Sequence, residues 1–272
     1  MHMSHKYASL PPRSTLVLKY GGSAMAGLPG EEVLAEVAAL HAQGHGVLLV
    51  HGGGPEIDSA LAAAGLASER IDGLRVTTEA TLAVTEMVLC ATINKRLVRA
   101  LVAAGVRAVG ISGEDDGLLR ARRSQRYDGK LGFVGEGVAC EPRLLHALLA
   151  AGIVPVVAPL ALSKDATHAL NVNADEAAGA VAGAMRAAAL LFVTDVARLR
   201  AVADDPASAI DRLTVAQARA FLLSDACRDG MRPKVRAAIA AHEAGVKAVY
   251  LCASGPEAIA RALDDQDATV LA

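Results

Sequence analysis

The sequence predicts an α/β protein in which a mainly parallel β-sheet is covered by helices on both sides. Short runs rich in Val, Leu and Ile alternate with Ala-rich segments of helical length, and Gly or Pro stands at the joints. The short runs are apolar at successive positions, which is typical of strands buried on both faces. Because 53% of the 272 residues are hydrophobic, the chain is able to bury a large core.

The predicted elements follow this alternation along the whole chain. Strands are expected at 16–19, 47–50, 108–111, 154–157, 190–194 and 248–252. Helices are expected at 31–43, 55–64, 79–104, 142–151, 174–187, 214–223 and 233–244. The glycine-rich segment 120–138 is predicted to form a hairpin or flap, and the polar segment 197–211 a surface loop. Since ligands of such sheets bind beyond the carboxyl ends of the strands, we expect the site there.

The composition excludes several classes of function. The 27 Lys and Arg residues are balanced by 29 Asp and Glu, aromatic residues make up 3%, and Trp is absent, so we expect no nucleic-acid partner. The longest apolar run, 147–162, is interrupted by Gly152, Pro155 and Pro159 and is too short to span a bilayer. The amino-terminal residues lack the apolar core of a secretory signal, and no Cys and His residues have metal-ligand spacing. We therefore expect a cytoplasmic protein without a membrane partner or a resident metal.

Two glycine-rich turns follow the first two predicted strands. Lys19 ends the first strand and is followed by Gly21 and Gly22, while the second strand runs into the sequence HGGGP at 51–55. The backbone N–H groups of such turns, and of the helix that the proline opens, favour an anion. Each turn alone is equally compatible with a tight strand-to-helix connection. Together, on adjacent strands, they predict a site that grips one phosphoryl group from two sides.

Neither turn is a G-x-x-x-x-G-K-[ST] phosphate loop, and no G-x-G-x-x-G follows a strand, so the phosphate chemistry requires another scaffold. Further short motifs occur in a fixed order along the chain. The ordered set is KYGGSAM at 19–25, HGGGP at 51–55, GLRVT at 73–77, NK at 94–95, GFVG at 132–135, NVNAD at 171–175, TDV at 194–196 and DGMRPK at 229–234. Each motif is weak by itself, but the set, which covers about residues 16–251, resembles the N-acetylglutamate kinases of the amino-acid kinase superfamily.

This resemblance implies the amino-acid kinase (carbamate kinase-like) fold, an α/β/α sandwich with two lobes. The N-terminal lobe, 1–188, would bind the acyl amino acid and form a homodimer, and the C-terminal lobe, 189–272, would bind ATP with Mg²⁺. The implied reaction is ATP-dependent phosphorylation of the side-chain carboxylate of N-acetyl-L-glutamate, the second step of arginine biosynthesis. Helix 79–104 is long and apolar enough to be either a dimer face or a core helix.

The resemblance also implies roles for single residues. Lys19 would stabilise the transferring phosphoryl group, Lys234 would be a second cation on the nucleotide side, and Asp175 would hold both lysines in place. The backbone donors to the phosphoryl oxygens would be Gly21, Gly22, Gly53 and Gly54. Without the resemblance, both lysines are compatible with solvated surface positions, and residues 173–176 with an ordinary helix N-cap.

The remaining implied contacts belong to the two substrates. Arg75 and Asn171 would bind the acyl amino acid, with the guanidinium on its α-carboxylate. By itself Arg75 is compatible with a solvated loop arginine. Asp195 would belong to the nucleotide side. The family usually has Pro-Gly after the TDV motif, whereas this chain has Ala197-Arg198, so we expect the loop against the nucleotide to be reshaped.

Two other functions stay open from the sequence. A kinase for N-acetyl-2-aminoadipate in lysine biosynthesis would accept a substrate with one more methylene, a difference worth only about 1–3 kcal/mol of discrimination. A catalytically weak sensor of acyl amino acids would share the same fold. The retained Lys19, Lys234 and Asp175 argue against the sensor.

Overall fold

The structure is a computed structural model that describes residues 7, 9–21, 31–195, 197–228 and 230–272. The strands of the described chain are β1 (Thr15–Tyr20), β2 (Gly46–His51), β3 (Arg70–Ile71), β4 (Leu74–Arg75), β5 (Ala108–Ser112), β6 (Leu119–Arg123), β7 (Gly135–Cys140), β8 (Val154–Ala158), β9 (Leu160–Ser163), β10 (Ala169–Asn171), β11 (Ala189–Thr194), β12 (Leu199–Arg200), β13 (Ala209–Ile210), β14 (Arg212–Leu213), β15 (Ala248–Ala253) and β16 (Ala268–Leu271). Each strand expected from the sequence is present, within one or two residues of its expected bounds.

The helices also follow the expected order. The α-helices of the described chain are α1 (Glu31–Ala42), α2 (Gly54–Ala63), α3 (Glu79–Glu86), α4 (Asn94–Ala103), α5 (Arg143–Ala150), α6 (Ala174–Ala184), α7 (Val215–Leu222), α8 (Met231–Glu243) and α9 (Ala258–Leu263). The sequence does not predict α9 or the strand β16 that follows it. Both are short, and short elements carry little periodic signal.

The central sheet of the described chain has the strand order β14-β16-β15-β11-β1-β2-β8-β5. All neighbours pair in parallel except β15 with β16, which are antiparallel. The mainly parallel sheet that the sequence predicts is therefore confirmed. The proposed lobe boundary at residue 188 falls just before β11, which pairs directly with β1 in this sheet. The division into two lobes stays a prediction.

Both faces of the sheet are buried by helices. Along β1, Leu16 and Leu18 face a cluster that includes residues of α1, α2, α4 and α9. Val17, between them, faces the opposite cluster, which includes residues of α5, α6, α7 and α8. Successive side chains of a strand point to opposite faces, so a strand between two helical layers must be apolar at each position. This explains the uninterrupted apolar runs of the sequence and gives an α/β/α sandwich.

The helix expected over 79–104 contains a local change of helical type. Residues Met87–Ile93 form a π-helix between α3 and α4, which shifts the helical register within an otherwise continuous segment. Leu89 and Ile93 are buried in the core, whereas 58% of Met87 is exposed. The segment is thus a core helix over much of its apolar face, and the dimer face stays a prediction.

A smaller sheet with the strand order β10-β9-β6-β7 lies beyond the carboxyl end of β8. Strands β6 and β7 pair antiparallel, which confirms the hairpin predicted for 120–138. Single bridges join Thr77 to Gly132 and Val134 to Asn171, so the hairpin is attached to the segment after β4 and to β10. The segment 197–211 is only partly an irregular loop, because its ends pair as β12 and β13 and Leu199 is buried.

His51 ends β2 and is completely buried. Burial lowers the pKa of its imidazole from about 6.5 to about 4. The nearby charges are Glu56 and Arg96, which pair with each other at 2.9 Å. The ring is therefore neutral in the folded protein at pH values where the unfolded chain would bind a proton.

We predict that this histidine makes stability fall as the pH decreases from 6.5 towards 4. The unfolded state binds a proton in this range and the folded state does not, so the neutral ring contributes stability above pH 6.5 that is lost on acidification. Between pH 8 and pH 5 the loss is about 2 kcal/mol. Urea unfolding at both pH values should show this extra loss in the wild type relative to a His51→Gln variant.

The matched control is His146→Gln, which removes an imidazole that is exposed in the folded protein. It should keep the pH dependence of the wild type. If His51→Gln also kept that dependence, the buried ring would not be the group responsible.

Candidate active site

The two glycine turns lie in contact at the ends of β1 and β2. The amide of Gly52 donates a hydrogen bond to the carbonyl of Tyr20 at 2.9 Å. A Cβ atom added to Gly21 would lie 3.0 Å from Nζ of Lys19 and 3.3 Å from the amide nitrogen of Gly52. A side chain at this position would therefore press against the lysine ammonium. Gly22, also predicted to bind phosphate, lies outside the described residues.

The second turn leads directly into helix α2. A Cβ atom on Gly53 would lie 2.4 Å from Cδ1 of Ile93 and 2.9 Å from Cδ2 of Leu89, so the π-helical segment leaves room only for glycine. Gly53 is the N-cap of α2, and Pro55 follows in its first turn. The N–H groups at the start of a helix have no carbonyl partners within the helix, and the helix dipole favours negative charge there. The turn is suited to an anion.

Three charged side chains meet beside these turns. One carboxylate oxygen of Asp175 lies 2.9 Å from Nζ of Lys19, and the other lies 3.5 Å from Nζ of Lys234. The side chains of Lys19 and Asp175 are 7% and 6% exposed, and that of Lys234 is 16% exposed. The alternative that these lysines are solvated surface residues is therefore wrong. One carboxylate holds two ammonium groups that would otherwise repel each other.

The position of Asp175 in its helix explains how it reaches both lysines. Asn173 is the N-cap of α6, and its Oδ1 accepts hydrogen bonds from the amides of Asp175 at 2.8 Å and Glu176 at 3.2 Å. The N-cap expected at 173–176 is present, and Asn173 forms it. Asp175 lies in the first turn of α6 and is not the cap, and its carboxylate points to the two ammonium groups.

Helices α6 and α8 pack closely enough to bring Lys234 to this carboxylate. A Cβ atom on Gly179 would lie 3.3 Å from the carbonyl oxygen of Ala237, and one on Gly183 would lie 2.7 Å from Cβ of Ala244. These contacts advance in the same direction along both helices, so the helices run side by side with their N-termini together. The positive ends of both helix dipoles therefore lie at the same site as the lysines.

Arg75 is buried and already paired. Its side chain is 5% exposed, and Nη1 donates to Asp58 and to the hydroxyl of Ser68. Nη2 donates to the carbonyl of Gly54 at 3.2 Å. Burial raises the pKa of the Asp58 carboxyl, but hydrogen bonds from Arg75 and Ser68 and the charges of Arg75 and Arg70 outweigh it and lower the pKa to about 2. Arg75 is therefore not a solvated loop arginine.

These bonds use three of the five N–H donors of the Arg75 guanidinium. Among the described residues, the donors without an acceptor are the Nε–H and one Nη2–H. These N–H groups remain available for an acidic ligand. Asp58 and Ser68 were not predicted from the sequence, because they act through Arg75 and carry no motif of their own.

Asn171 is connected to the backbone of Arg75 through a threonine. Nδ2 of Asn171 donates to the hydroxyl of Thr77 at 3.2 Å, and this hydroxyl donates to the carbonyl of Arg75 at 2.9 Å. Thr77 is completely buried. The chain from β10 to β4 fixes the two predicted substrate ligands relative to each other.

A cleft of about 210 Å³ joins most of these groups. Six of the residues singled out in the sequence line it, namely Lys19, Gly53, Gly54, Arg75, Asn171 and Asp175. Its apolar part includes Ile57, Leu89, Val134 and Pro159, to which the sequence analysis gives no site role. Lys234 reaches the cleft through its contact with Asp175. The described residues thus place cations, glycine turns and an arginine around one cavity of small-molecule size.

Asp195 occupies a different position. It follows β11, is exposed, and accepts a hydrogen bond from the hydroxyl of Thr194 at 3.2 Å. It does not line the cleft. Nearby in sequence, Arg198 pairs with Asp211 at 2.8 Å and with Asp267 at 3.0 Å. These ion pairs occupy the segment where the sequence departs from Pro-Gly, and they attach it to the strand edge at β14 and β16.

Within the described ranges, no group of three or more His, Cys, Asp or Glu side chains is arranged to hold a metal ion. None of the helices in those ranges is long and apolar enough to span a membrane.

The fold corresponds to that of a family of small-molecule kinases. The family model of the amino acid kinase family matches residues 14–253. The chain therefore belongs to the amino acid kinase family. Over 244 residues it is 40% identical to an acetylglutamate kinase from Symbiobacterium thermophilum, covering 87% of this chain and 83% of the relative. It is 43% identical over 238 residues to an acetylglutamate kinase from Brevibacillus brevis, covering 87% and 88%.

The structure is also similar to that of a carbamate kinase from Giardia lamblia bound to AMP-PNP. The TM-score is 0.70 at 17% identity, and the match covers 95% of this chain and 98% of that chain. This likeness supports the fold. The predicted carbamate kinase-like sandwich and the resemblance carried by the ordered motifs are both confirmed.

We predict that Asp175→Asn lowers the free energy of unfolding by about 3 kcal/mol, because it leaves two lysines at a mostly buried site without their common counter-charge. The matched control is Asp116→Asn, which makes the same change in an exposed pair with Arg143 at 2.8 Å. The control should cost less than about 1 kcal/mol. Urea unfolding of both variants measures the difference, and equal losses would contradict a structural role for the bridging carboxylate.

Proposed function

We propose that this protein transfers the γ-phosphoryl group of ATP to the side-chain carboxylate of N-acetyl-L-glutamate. The product is N-acetyl-L-glutamyl 5-phosphate, and the reaction is the second step of arginine biosynthesis. The observation that carries this proposal is the bridge from Lys19 through Asp175 to Lys234 beside two glycine turns, in the same cleft as a buried arginine. The similarity to acetylglutamate kinases over most of the chain supports it.

Phosphoryl transfer to a carboxylate requires neutralisation of negative charge and alignment of the two substrates. Transfer of a phosphoryl group to a carboxylate brings two anions together, and the acceptor needs no general base because it is already ionised. Lys19 and Lys234 would neutralise the developing charge, with Asp175 fixing their separation. The amides of Gly53 and Gly54 would donate to phosphoryl oxygens from the opposite side. In this arrangement the groups are in place before the substrates arrive, which lowers the cost of reorganisation.

The acid substrate would bind at the end of the cleft that contains Arg75. The two free N–H donors of its guanidinium suit the α-carboxylate, and Asn171 suits a neutral polar group such as the acetamido function. The apolar side chains of Leu89, Val134 and Ile57 line the same cleft and would contact the aliphatic part of the acid. The side-chain carboxylate would then extend towards Lys19.

The nucleotide would bind on the side of α8, where Lys234 lies, with Asp195 as a further contact of that side. The α6 and α8 N-termini, which lie together at the site, favour the negative charge of phosphates. A magnesium ion would arrive with ATP and be held largely by phosphate oxygens and water, because the described residues offer no cluster of carboxylates for it.

The relatives do not favour the lysine-pathway alternative. Both curated relatives compared above are acetylglutamate kinases, and neither is named for an aminoadipate substrate. The sensor is disfavoured by the intact set of cations around Asp175. We further propose that the protein acts in the cytoplasm as a homodimer. Met87 and Val102, which are 58% and 54% exposed on helix segment 79–103, are the apolar surface residues that a partner subunit would cover.

The substrate is tested by an assay of ADP release with Mg-ATP and three acids: N-acetyl-L-glutamate, L-glutamate and N-acetyl-L-2-aminoadipate. We expect turnover with N-acetyl-L-glutamate and a kcat/KM at least tenfold lower for the other two, because a missing acetyl group or an added methylene disturbs the fit. Preference for the longer acid would move the protein to lysine synthesis. Binding of the acids without turnover would favour the alternative function, a catalytically weak sensor of acyl amino acids.

The roles of the two cations are tested by Lys19→Ala and Lys234→Ala. Each should lower kcat by about 100-fold or more, since each removes a charge that stabilises the transferring group. Lys234→Ala should also raise KM for ATP, because this lysine lies on the nucleotide side. The matched control, Lys247→Ala, changes an exposed lysine beyond the end of α8 and should keep full activity. Full activity in either cleft variant would overturn the assigned mechanism.

A further inference from the structure

Asn94, part of a sequence motif to which no role has been given above, is buried at the start of α4 and is 1% exposed. Its Nδ2 lies 2.9 Å from the carbonyl oxygen of Val156, 3.3 Å from that of Ile111, and 3.3 Å from Nε2 of His51. The side chain thus reaches the backbones of β8 and β5 and the side chain at the end of β2. It connects three strands of the central sheet directly below the second glycine turn.

The orientation of the Asn94 amide is fixed by its neighbours. Carbonyl oxygens only accept hydrogen bonds, so the amide nitrogen must face Val156 and Ile111. On the other side, the ammonium of Lys95 lies 3.4 Å from Oδ1 of Asn94 and donates to the carbonyl of Gly110 at 2.9 Å. A Cβ atom on Gly110 would lie 1.7 Å from Oδ1 of Asn94, so the strand β5 has a glycine where the amide is seated.

This orientation determines the tautomer of His51. The two N–H groups of Asn94 Nδ2 serve three acceptors, with the shortest contact to Val156 and two longer contacts of 3.3 Å to Ile111 and to Nε2 of His51. An amide nitrogen cannot accept a hydrogen bond, so Nε2 of His51 carries no proton. In a neutral ring the proton is then on Nδ1, which lies 2.9 Å from the carbonyl oxygen of Gly52 and donates to it. Complete burial favours the neutral ring. A hydrogen-bonded chain therefore runs from β5 and β8 through Asn94 and His51 to the backbone of the glycine turn.

The end of this chain controls the direction of a backbone donor in the cleft. The peptide between Gly52 and Gly53 is planar and trans, so its carbonyl and its N–H point in opposite directions. Holding the Gly52 carbonyl against His51 therefore turns the Gly53 N–H away from the imidazole. Gly53 lines the cleft, and the glycine turn itself has no side chain that would fix its direction.

We propose that Asn94 and His51 are positioning residues that aim the Gly53 N–H at the phosphoryl group in the cleft. The use of this donor in phosphoryl transfer rests on the function proposed above. The hydrogen-bonded chain itself does not, because it is defined by buried donors and acceptors. A merely structural histidine would contribute to stability but would not control the direction of an amide that binds an anion.

Two substitutions at His51 distinguish the roles of the two ring nitrogens. The amide nitrogen of Asn in His51→Asn takes a place close to Nδ1 and keeps the donor to Gly52. The amide of Gln in His51→Gln reaches the place of Nε2, so it keeps a partner for Asn94 and loses the donor to Gly52. Both variants remove the aromatic ring, so each serves as the control for the volume lost in the other.

The expected result is a kcat that falls about tenfold or more in His51→Gln relative to His51→Asn, with KM for N-acetyl-L-glutamate within about twofold in both. Equal values of kcat in the two variants would overturn the proposal, because the Nδ1 donor would then have no special part in the reaction. Urea unfolding of both variants ensures that folded protein is compared.

Nuclear magnetic resonance of the wild type provides a readout that does not depend on turnover. Long-range ¹H–¹⁵N spectra of imidazole-labelled protein should show the His51 ring protonated on Nδ1 and unprotonated on Nε2. Addition of inorganic phosphate should shift the Gly53 amide resonance in the wild type and in His51→Asn but not in His51→Gln. An Nε2-protonated ring, or an equal phosphate response in both variants, would contradict the proposal.

The two proposals fail in different ways. If the phosphate response differs between the variants but no acid is turned over, the assigned substrate is wrong and the positioning role stands. If N-acetyl-L-glutamate is turned over and the variants behave alike, the positioning role is wrong and the assigned reaction stands.

Discussion

The structure depends on one carboxylate that holds two ammonium groups at the carboxyl end of β1. Two unit charges of like sign about 4 Å apart repel by about 4 kcal/mol at an effective dielectric constant of 20, so two lysines gather in one place only with a counter-charge between them. Asp175 supplies it at 2.9 Å and 3.5 Å. The side-by-side packing of α6 and α8, the N-cap at Asn173 and the parallel strands each bring one of the three groups to this point.

Much of the fold follows from the sequence because its strands are buried on both faces. A strand such as β1 shows an unbroken apolar run that is terminated by glycines, and the helices between strands are rich in good helix formers. The π-helical residues Met87–Ile93 leave no such signal, since a local shift in helical register does not alter composition. The strand β16 is four residues long, too short for a clear periodic signal, and its antiparallel pairing with β15 does not follow from a predicted parallel sheet.

The residues of the candidate site also fall into those that the sequence predicts and those that only the structure shows. Lys19, Asp175 and Arg75 stand in motifs whose order along the chain resembles a family, and the structure places them around one cleft. Asp58, Ser68 and Thr77 act by holding another residue, and their contacts depend on packing between segments that are distant in sequence. A sequence without the fold contains no information on which carboxylate meets which guanidinium. Asp195 shows the reverse case, because it stands in a motif but lies outside the cleft.

The seat of the Asn94 amide in strand β5 has a consequence for how this protein tolerates change. Gly110 belongs to the edge strand of the sheet and is not among the residues that line the cleft, yet any side chain there would displace Asn94. The displacement would be passed along the buried amide and imidazole to the turn at Gly52. In a survey of substitutions scored by activity alone, this edge glycine would be counted among the residues of the active centre. Sensitivity to substitution therefore marks the path by which the cleft is supported as well as the cleft itself.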